Sequence, residues 1–419
     1  MRRVILITNA FPYGTWEPYL STEMPYLGVF DRVNILSLSV RRNQLSSVRE
    51  IPLDNVDVHP IRFRAKPFYL LYMIYALTDL NYYRELTQLV KARRWTWKRF
   101  VKMCVFFARA HYEYRNSRKH LQKCGLSKDD EIVLYAYRFN YQPYLAMLLH
   151  RHYPDAIIVA RAHRADLYEE RNQENYLPAR QITIQNCDCI YAVAEHGRDY
   201  LLNTYHANPL KVKVAHLGTV GHGRAYGADV RQPLELVSCS FVVPVKRLDL
   251  LIDALSIVTI PVNWTHLGDG PLLTVIQSKA KKLLPSNVNV SWMGHVDSRG
   301  VFREFLEFPK HVFVNVSSSE GLPVSIMEAM SCGLPVIATD VGGTREIVEN
   351  TLNGTLLASD PSPEQIADAI SSYASMDEVT YLKRSEQAYF TWSQSFDASV
   401  CYPAFINDVL ERLPERKAL

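Results

Sequence analysis

Two glutamates, Glu320 and Glu328, stand eight residues apart within VFVNVSSSEGLPVSIMEAMSCGLPVIATDVGGTREIV, residues 312–348. Ionised carboxylates only accept hydrogen bonds, so in a binding role they pair with hydroxyls. Between them a polar, glycine-containing turn at 317–323 runs into a short helix at 325–331. The free backbone N–H groups at the start of such a helix favour an anion such as phosphate. A ligand with sugar and ribose hydroxyls around a diphosphate would meet both demands. Lys246 and Arg247, at the end of SCSFVVPVKR (238–247), are adjacent cations that by local pattern begin an exposed helix. His163, in RAHRADLYEER (161–171), follows an apolar run. A lone histidine is more often structural than catalytic, but a strand end is where a doubly wound domain places its ligand.

The elements that must position these groups follow from local pattern. Residues 312–316 are apolar and β-branched and read as a buried strand. The helix after the turn stops at Gly333, with Pro335 just beyond it. Residues 336–339 are the next strand, and Gly342 and Gly343 lead into another helix. The first loop of this strand–loop–helix–strand unit opens at the carboxyl end of a parallel strand, the edge at which open α/β sheets bind ligands. If the helix starts near 324, Glu328 lies in its first turn and both carboxylates face one crevice. The same residues allow a second account. Ser325 as N-cap and Glu328 three residues on make a capping box, and Glu320 is then a solvated loop residue.

The whole string SSSEGLPVSIMEAMSCGLPVIATDVGGTREIV resembles the donor-binding signature of the retaining glycosyltransferases of family 4, which have the GT-B fold. FPYGTWEPYLSTEMPYL, at 11–27, resembles the start of many bacterial capsule and envelope polysaccharide glycosyltransferases. RAHRADLYEER also resembles a family segment, in which a histidine at the strand end contacts the donor sugar or the acceptor; Arg164 stands where the family often has glycine. In the 238–247 loop the family commonly has an arginine and a lysine that neutralise the donor diphosphate. Lys246 matches the lysine, but Phe241 occupies the arginine position, so either Arg247 compensates or the site uses one fewer cation.

The resemblance implies the GT-B fold, an α/β architecture of two Rossmann-like β/α/β domains facing a deep interdomain cleft. Residues 1–217 would be an acceptor-binding domain, 218–233 (GTVGHGRAYGADVRQP) a linker and 234–391 the nucleotide-sugar donor domain. A helix in 392–419 would cross back to the first domain. It implies transfer of a glycosyl unit from a nucleotide-diphosphate sugar to an acceptor hydroxyl, with retention of configuration, in bacterial surface polysaccharide synthesis (capsule, exopolysaccharide or lipopolysaccharide). His163, Lys246 and Glu320 are the expected catalytic set. Glu320 would hold sugar hydroxyls with the backbone N–H groups of Gly321 and Leu322, in the loop that Pro323 and Val324 complete. Glu328 would hold ribose hydroxyls, and Lys246 and Arg247 the diphosphate. Gly14, Gly268, Gly294, His295 and Val296 are the remaining donor-side positions. The departing phosphate can itself take the acceptor proton, so no side-chain base is required. No Asp-x-Asp motif is present, and neither metal nor cofactor is expected beyond the nucleotide sugar as co-substrate. A nucleotide-sugar epimerase or hydrolase on the same fold, or an inactive partner subunit, are the alternatives.

Chain-wide properties fit this. The 419 residues leave room for two domains of ordinary size, 48% of them are apolar and the net charge of +4 is too mild to mark a nucleic-acid binder. No segment has the roughly 18 continuous apolar residues that span a bilayer. The opening MRRVILIT reads as a first strand rather than a signal peptide. Seven scattered cysteines agree with a reduced, cytoplasmic protein. Strands are predicted at 4–8, 33–38, 56–61, 132–136, 157–160, 189–193 and 212–217, then at 236–239, 264–267 and 288–293. Pro18 after Glu17 can open a helix. The alternation breaks at 67–125, a helical insertion where basic residues from Lys91 to Lys123 alternate with aromatics and Glu113 is the single acid from 91 to 124. Such helices suit an anionic membrane surface, as on the inner face of the plasma membrane, and a lipid-linked saccharide acceptor. Nucleic-acid binding is a rival without a supporting motif, and a solvated basic face over core aromatics is the plainer account.

Overall fold

Apolar runs that alternate with helices fold here into two wholly parallel sheets. The computed structural model describes residues 1–127, 129–225 and 233–414. It divides into one unit of Met1–Ala215 with Tyr402–Leu419 and a second of His216–Cys401. In the first unit the strands are β1 (Arg2–Thr8), β2 (Arg32–Val40), β3 (Val56–Arg62), β4 (Glu131–Ala136), β5 (Ile157–Ala162), β6 (Cys189–Ala192) and β7 (Val212–Val214). They pair in the order β3-β2-β1-β4-β5-β6-β7. The second unit has β8 (Leu234–Cys239), β9 (Val262–Leu267), β10 (Val288–Trp292), β11 (Val312–Asn315), β12 (Val336–Thr339) and β13 (Gly354–Leu357), in the order β10-β9-β8-β11-β12-β13. Every pair is parallel, so both faces of each sheet need helical cover.

Helices of the first unit are α1 (Leu20–Glu23), α2 (Lys66–Leu70), α3 (Met73–Ala76), α4 (Leu80–Lys91), α5 (Trp97–Lys123), α6 (Gln142–His150), α7 (Arg164–Leu167), α8 (Arg180–Asn186) and α9 (Glu195–Tyr205). Helices α10 (Leu248–Leu255), α11 (Leu273–Leu283), α12 (Ser298–Glu307), α13 (Val324–Ser331), α14 (Pro363–Ala374) and α15 (Glu378–Ser395) belong to the second, and α16 (Ala398–Leu410) ends the described chain. One face of the first sheet buries Ile5, Ile7, Leu36 and Leu134 against Phe106 and Phe107 of α5. The other buries Val4, Leu6, Val133 and Tyr135 against Phe405, Ile406 and Val409 of α16. The C-terminal segment therefore joins the first unit at Tyr402 rather than at 392, and Trp392 stays in the second unit, where its Nε1 donates to Thr219 Oγ1 at 2.7 Å.

Several local expectations change. Glu17 does not open a helix: it sits at φ +55, buried, and its carboxylate accepts from the backbone N–H groups of Asn9, Ala10 and Phe11. The 342–343 pair leads only to a single 3-10 turn, Thr344–Glu346. Residues 226–232 of the expected linker lie outside the described residues. The part before them is packed: Thr219 N donates to Phe396 O, and Ala225 N to Cys332 O. A Cβ at Gly218 would stand 2.4 Å from Ala398 Cα, so this glycine serves close approach rather than freedom.

In the 67–125 insertion, much of the basic charge has a structural partner. Arg94 pairs with Glu169, Arg99 and Lys102 donate to the carbonyls of Glu174 and Tyr176, and Arg109 pairs with Glu113. Phe106 and Phe107 are core, while Leu71, Ile74, Leu80, Trp95 and Trp97 are exposed. Among the described residues no helix is long and apolar enough to cross a membrane.

Candidate active site

The turn after β11 carries the first carboxylate into a cradle made by its own strand. Asn315 closes β11, and its Nδ2 donates to Glu320 Oε1 at 3.3 Å. Lys246 Nζ donates to the same oxygen at 2.6 Å. Glu320 is 8% exposed. Burial pushes its pKa up, but the Lys246 ammonium and the hydrogen bonds from Lys246 and Asn315 outweigh this and hold it below the usual carboxylate range. The loop is pinned from the far side as well, since Gly343 N donates to Gly321 O at 2.7 Å.

Helix α13 begins at Val324 with Pro323 as its cap and no capping side chain. Ser325 is thus the second helical residue and Glu328 the fifth. The capping-box account of Glu328 does not apply, and Glu328 lies one step past the first turn. Its carboxyl is half-buried, and burial pushes its pKa up to about 7. Among the described residues no cation opposes that rise. Cys239, at the end of β8, has its thiol pushed up to about 12 by burial, raised further by Glu328 and lowered by Lys246, so all three groups share one neighbourhood.

Lys246 and Arg247 part company. Lys246 ends a 3-10 turn, Pro244–Lys246, and α10 begins only at Leu248. Arg247 between them has φ +48, and its guanidinium donates to the carbonyls of Val316, Ser317 and Ser359 and to Asp360. This cation clamps the β11 loop from behind. Phe241 is 61% exposed. Gly268 (φ +148) donates its N–H to Gly294 O at 2.8 Å, and a Cβ on it would stand 1.9 Å from Ser240 O. His295 is exposed and Val296 half-buried in the loop that follows Gly294.

Gly14 and His163 belong to the first unit. Gly14 (φ +65) donates its N–H to Ser47 O. His163 follows β5 and caps α7, buried against the Tyr137 ring. Neither ring nitrogen has a hydrogen bond, and Asp166 Oδ2 is 3.8 Å from Nδ1. Burial, with Arg138 nearby, pushes the imidazole down to about 4, so it is neutral at neutral pH. Arg138 stands 3.8 Å from both Glu17 and Asp166. Among the described residues no cluster of three His, Cys, Asp or Glu could hold a metal ion.

Asn315, Arg138 and Asp166 were not singled out from the sequence. Asn315 had a visible signal, a lone amide interrupting an apolar strand. Arg138 and Asp166 had none, because their pairing joins two separate strand ends.

Residues 230–389 match the family described as glycosyl transferases group 1. A peptide N-acetylglucosaminyltransferase GtfA subunit of Streptococcus agalactiae is 29% identical over 167 residues, 38% of this chain and 32% of that one. An uncharacterized glycosyltransferase of Methanocaldococcus jannaschii is 34% identical over 137 residues, 33% of this chain and 37% of that one. The chain thus spans only about a third of the length of these curated relatives. Among solved structures, the lipopolysaccharide outer core galactosyltransferase WaaB superposes with TM-score 0.70 at 14% identity, covering 98% of this chain and all of that one (100%). The Anabaena protein HepE in complex with UDP gives 0.65 at 15% identity, covering 98% and 100%. The likeness to glycosyl transferases group 1 is thus confined to residues 230–389, and the two parallel-sheet units have the GT-B fold.

Proposed function

We propose that this protein is a retaining glycosyltransferase of family 4, moving a sugar from a nucleotide-diphosphate donor to an acceptor hydroxyl in bacterial surface polysaccharide synthesis. The observation that carries the reading is the Lys246–Glu320 contact beside a helix start without a capping side chain. One cation, one carboxylate and a set of amides in one loop are groups that would suit a diphosphate and sugar hydroxyls. The solved HepE structures with UDP, and with UDP-glucose, agree with a nucleotide-sugar donor.

In this reading Glu320 holds sugar hydroxyls with the amides of Gly321 and Leu322. Glu328 takes the ribose hydroxyls. Lys246 and the amino end of α13 stabilise the departing diphosphate, an electrostatic role that needs no metal. Arg247, committed to three carbonyls, supports the loop that presents Glu320. Gly268, Gly294, His295 and Val296 line the nucleotide side, chiefly through backbone. His163, neutral and without a hydrogen bond, offers one to a bound sugar at the first unit's sheet edge. The exposed Leu71, Ile74 and Trp97, with exposed Lys91, Arg93 and Lys98, suit peripheral attachment to an anionic membrane and a lipid-linked acceptor.

The test is a thermal-shift screen of nucleotide sugars, followed by incubation of the stabilising donor with candidate acceptors and NMR of the product's anomeric centre. A product of inverted configuration refutes retention. Rapid isomerisation of donor, or stoichiometric free sugar without acceptor, replaces the transferase with an epimerase or hydrolase. A second reading has a specific observation behind it: Phe241, exposed where the family carries a cation, fits an inactive partner subunit. Failure to bind any nucleotide sugar would favour that one.

A further inference from the structure

A cavity of about 230 Å³ opens at the carboxyl edge of β1, β2 and β4 in the first unit, outside all the residues discussed as donor contacts. It is smaller than the roughly 300–1,000 Å³ of drug-sized sites, with room for about one sugar ring. Its walls combine two kinds of group. Trp16 and Phe63 are both exposed there and present aromatic faces. Arg41 and Arg109 present guanidinium groups.

Arg109 arrives from an unexpected direction, the middle of α5 in the helical insertion. Its Nε donates to Glu113 Oε1 at 2.8 Å, and its Nη2 to Ser39 Oγ and the Tyr141 hydroxyl. The guanidinium lies 3.8 Å from the centre of the Tyr141 ring. Those contacts fix its plane and leave Nη1 without a partner among the described residues. Arg41 is exposed, lies 5.7 Å from the centre of the Phe63 ring and has no carboxylate partner among the described residues. The acids nearby are already engaged. Glu113 is held by Arg109, and Glu17 is spent on three backbone amides with Arg138 at 3.8 Å. The surplus of charge in this cavity is therefore positive, and a guanidinium's fork matches a carboxylate or phosphate.

We propose that this cavity is a subsite for one acidic sugar, a ring bearing a carboxylate or a phosphate that Arg41 and Arg109 read while Trp16 and Phe63 flank the ring. That the ring belongs to the acceptor rests on the transferase reading above; the binding itself does not.

Titration of the full-length protein with glucuronate, glucose 1-phosphate and glucose, followed by calorimetry or saturation-transfer NMR, tests this. At least one of the two acidic sugars binds about tenfold or more tightly than glucose, and the ratio between them tells carboxylate from phosphate. Arg41→Gln, at an exposed position, lowers acidic-sugar affinity about tenfold or more and leaves glucose unchanged. Arg109→Lys, which keeps the charge but not the fork, does the same to a lesser degree. Equal binding of all three sugars, or acidic-sugar binding indifferent to both substitutions, overturns the proposal. A nucleotide sugar titrated into the same samples separates the two readings. With that donor bound and acidic sugars no better than glucose, the subsite falls and the transferase stands. With acidic sugars bound and no nucleotide sugar bound, the reverse holds.

Discussion

Lys246 Nζ lies 2.6 Å from Glu320 Oε1, so the cation proposed for a diphosphate and the carboxylate proposed for sugar hydroxyls satisfy each other within the protein. Each is pre-positioned by the other. In the proposed function a bound diphosphate shares the ammonium with Glu320, which would draw sugar and phosphate to adjacent points of one loop.

Lys246→Met removes the cation and leaves Glu320 buried with the Asn315 amide as its hydrogen-bond partner. Turnover falls about 100-fold, the scale of losing one charge-stabilising group, and the donor KM rises. The acid side carries a second readout. The pKa of Glu320 is depressed below its ordinary 4.5, so its contribution to stability is present above about pH 4.5 and lost as pH falls through the folded value. Melts between about pH 3 and 7 show this acid loss in the native protein and a smaller one in Lys246→Met. An unchanged turnover would remove Lys246 from the diphosphate site.

Glu328 has the opposite sign. Its pKa is raised to about 7, so its contribution to stability is present below about pH 4.5 and lost as pH rises through 7. Glu328→Gln removes a buried charge, so above pH 7 this variant melts a few °C higher than the native protein. If Glu328 holds the ribose as proposed, donor binding needs its ionised form to accept the hydroxyls. Native donor affinity therefore rises about tenfold from pH 6 to pH 8, following the ionised fraction. In Glu328→Gln it is weaker and flat with pH. Titration calorimetry at three pH values reads both. A parallel pH slope in the variant would show that Glu328 is not the titrating group.

The stretch 312–339 was legible because its apolar strands, its turn and its helix stop at Gly333 are local features, and each element begins within a residue or two of its expected place. The choice between Ser325 and Pro323 as helix cap was not local. It turns on how far back the chain stays helical, which the packed loop decides. The role of Arg247 stayed open in the sequence, which shows a charge without showing its direction. At φ +48 its side chain is turned onto the β11 loop instead. The basic run in α5 hid its partners in the same way. Arg99 and Lys102 reach carbonyls of a loop more than seventy residues on, and only tertiary packing shows that these cations are spent. Arg109 was hidden among them, although its lone acidic neighbour Glu113, one helical turn away, marked it as the paired member.

Arg247→Lys separates support from direct contact. Lysine cannot span the three carbonyls that the guanidinium forks across. The second unit's melting point drops by about 5–10 °C, and the donor KM rises with it. Lys246→Met, by contrast, loses turnover out of proportion to stability at neutral pH. If Arg247→Lys instead keeps its melting point and loses donor affinity alone, the guanidinium reaches the diphosphate after all.

Gly342 tests whether the Glu320 loop needs its close packing. It has φ +59, and a Cβ there would stand 2.1 Å from Glu320 O, a backbone atom that cannot swing aside. Gly125 has nearly the same φ, +64, with nothing within 4 Å of its Cβ position. The two glycines therefore separate conformational strain from overlap. Gly125→Ala costs about 1–2 kcal/mol, the strain of a left-handed non-glycine residue, and leaves donor binding intact. Gly342→Ala carries the same strain and must also push Glu320 O away, so it costs about 3 kcal/mol or more and displaces the Glu320 carboxylate from Lys246. Denaturant melts paired with nucleotide-sugar titration read the difference. Equal stability losses in the two variants, with donor affinity kept in both, would mean that the turn at 320–321 shifts freely and does not depend on Gly342 for its position.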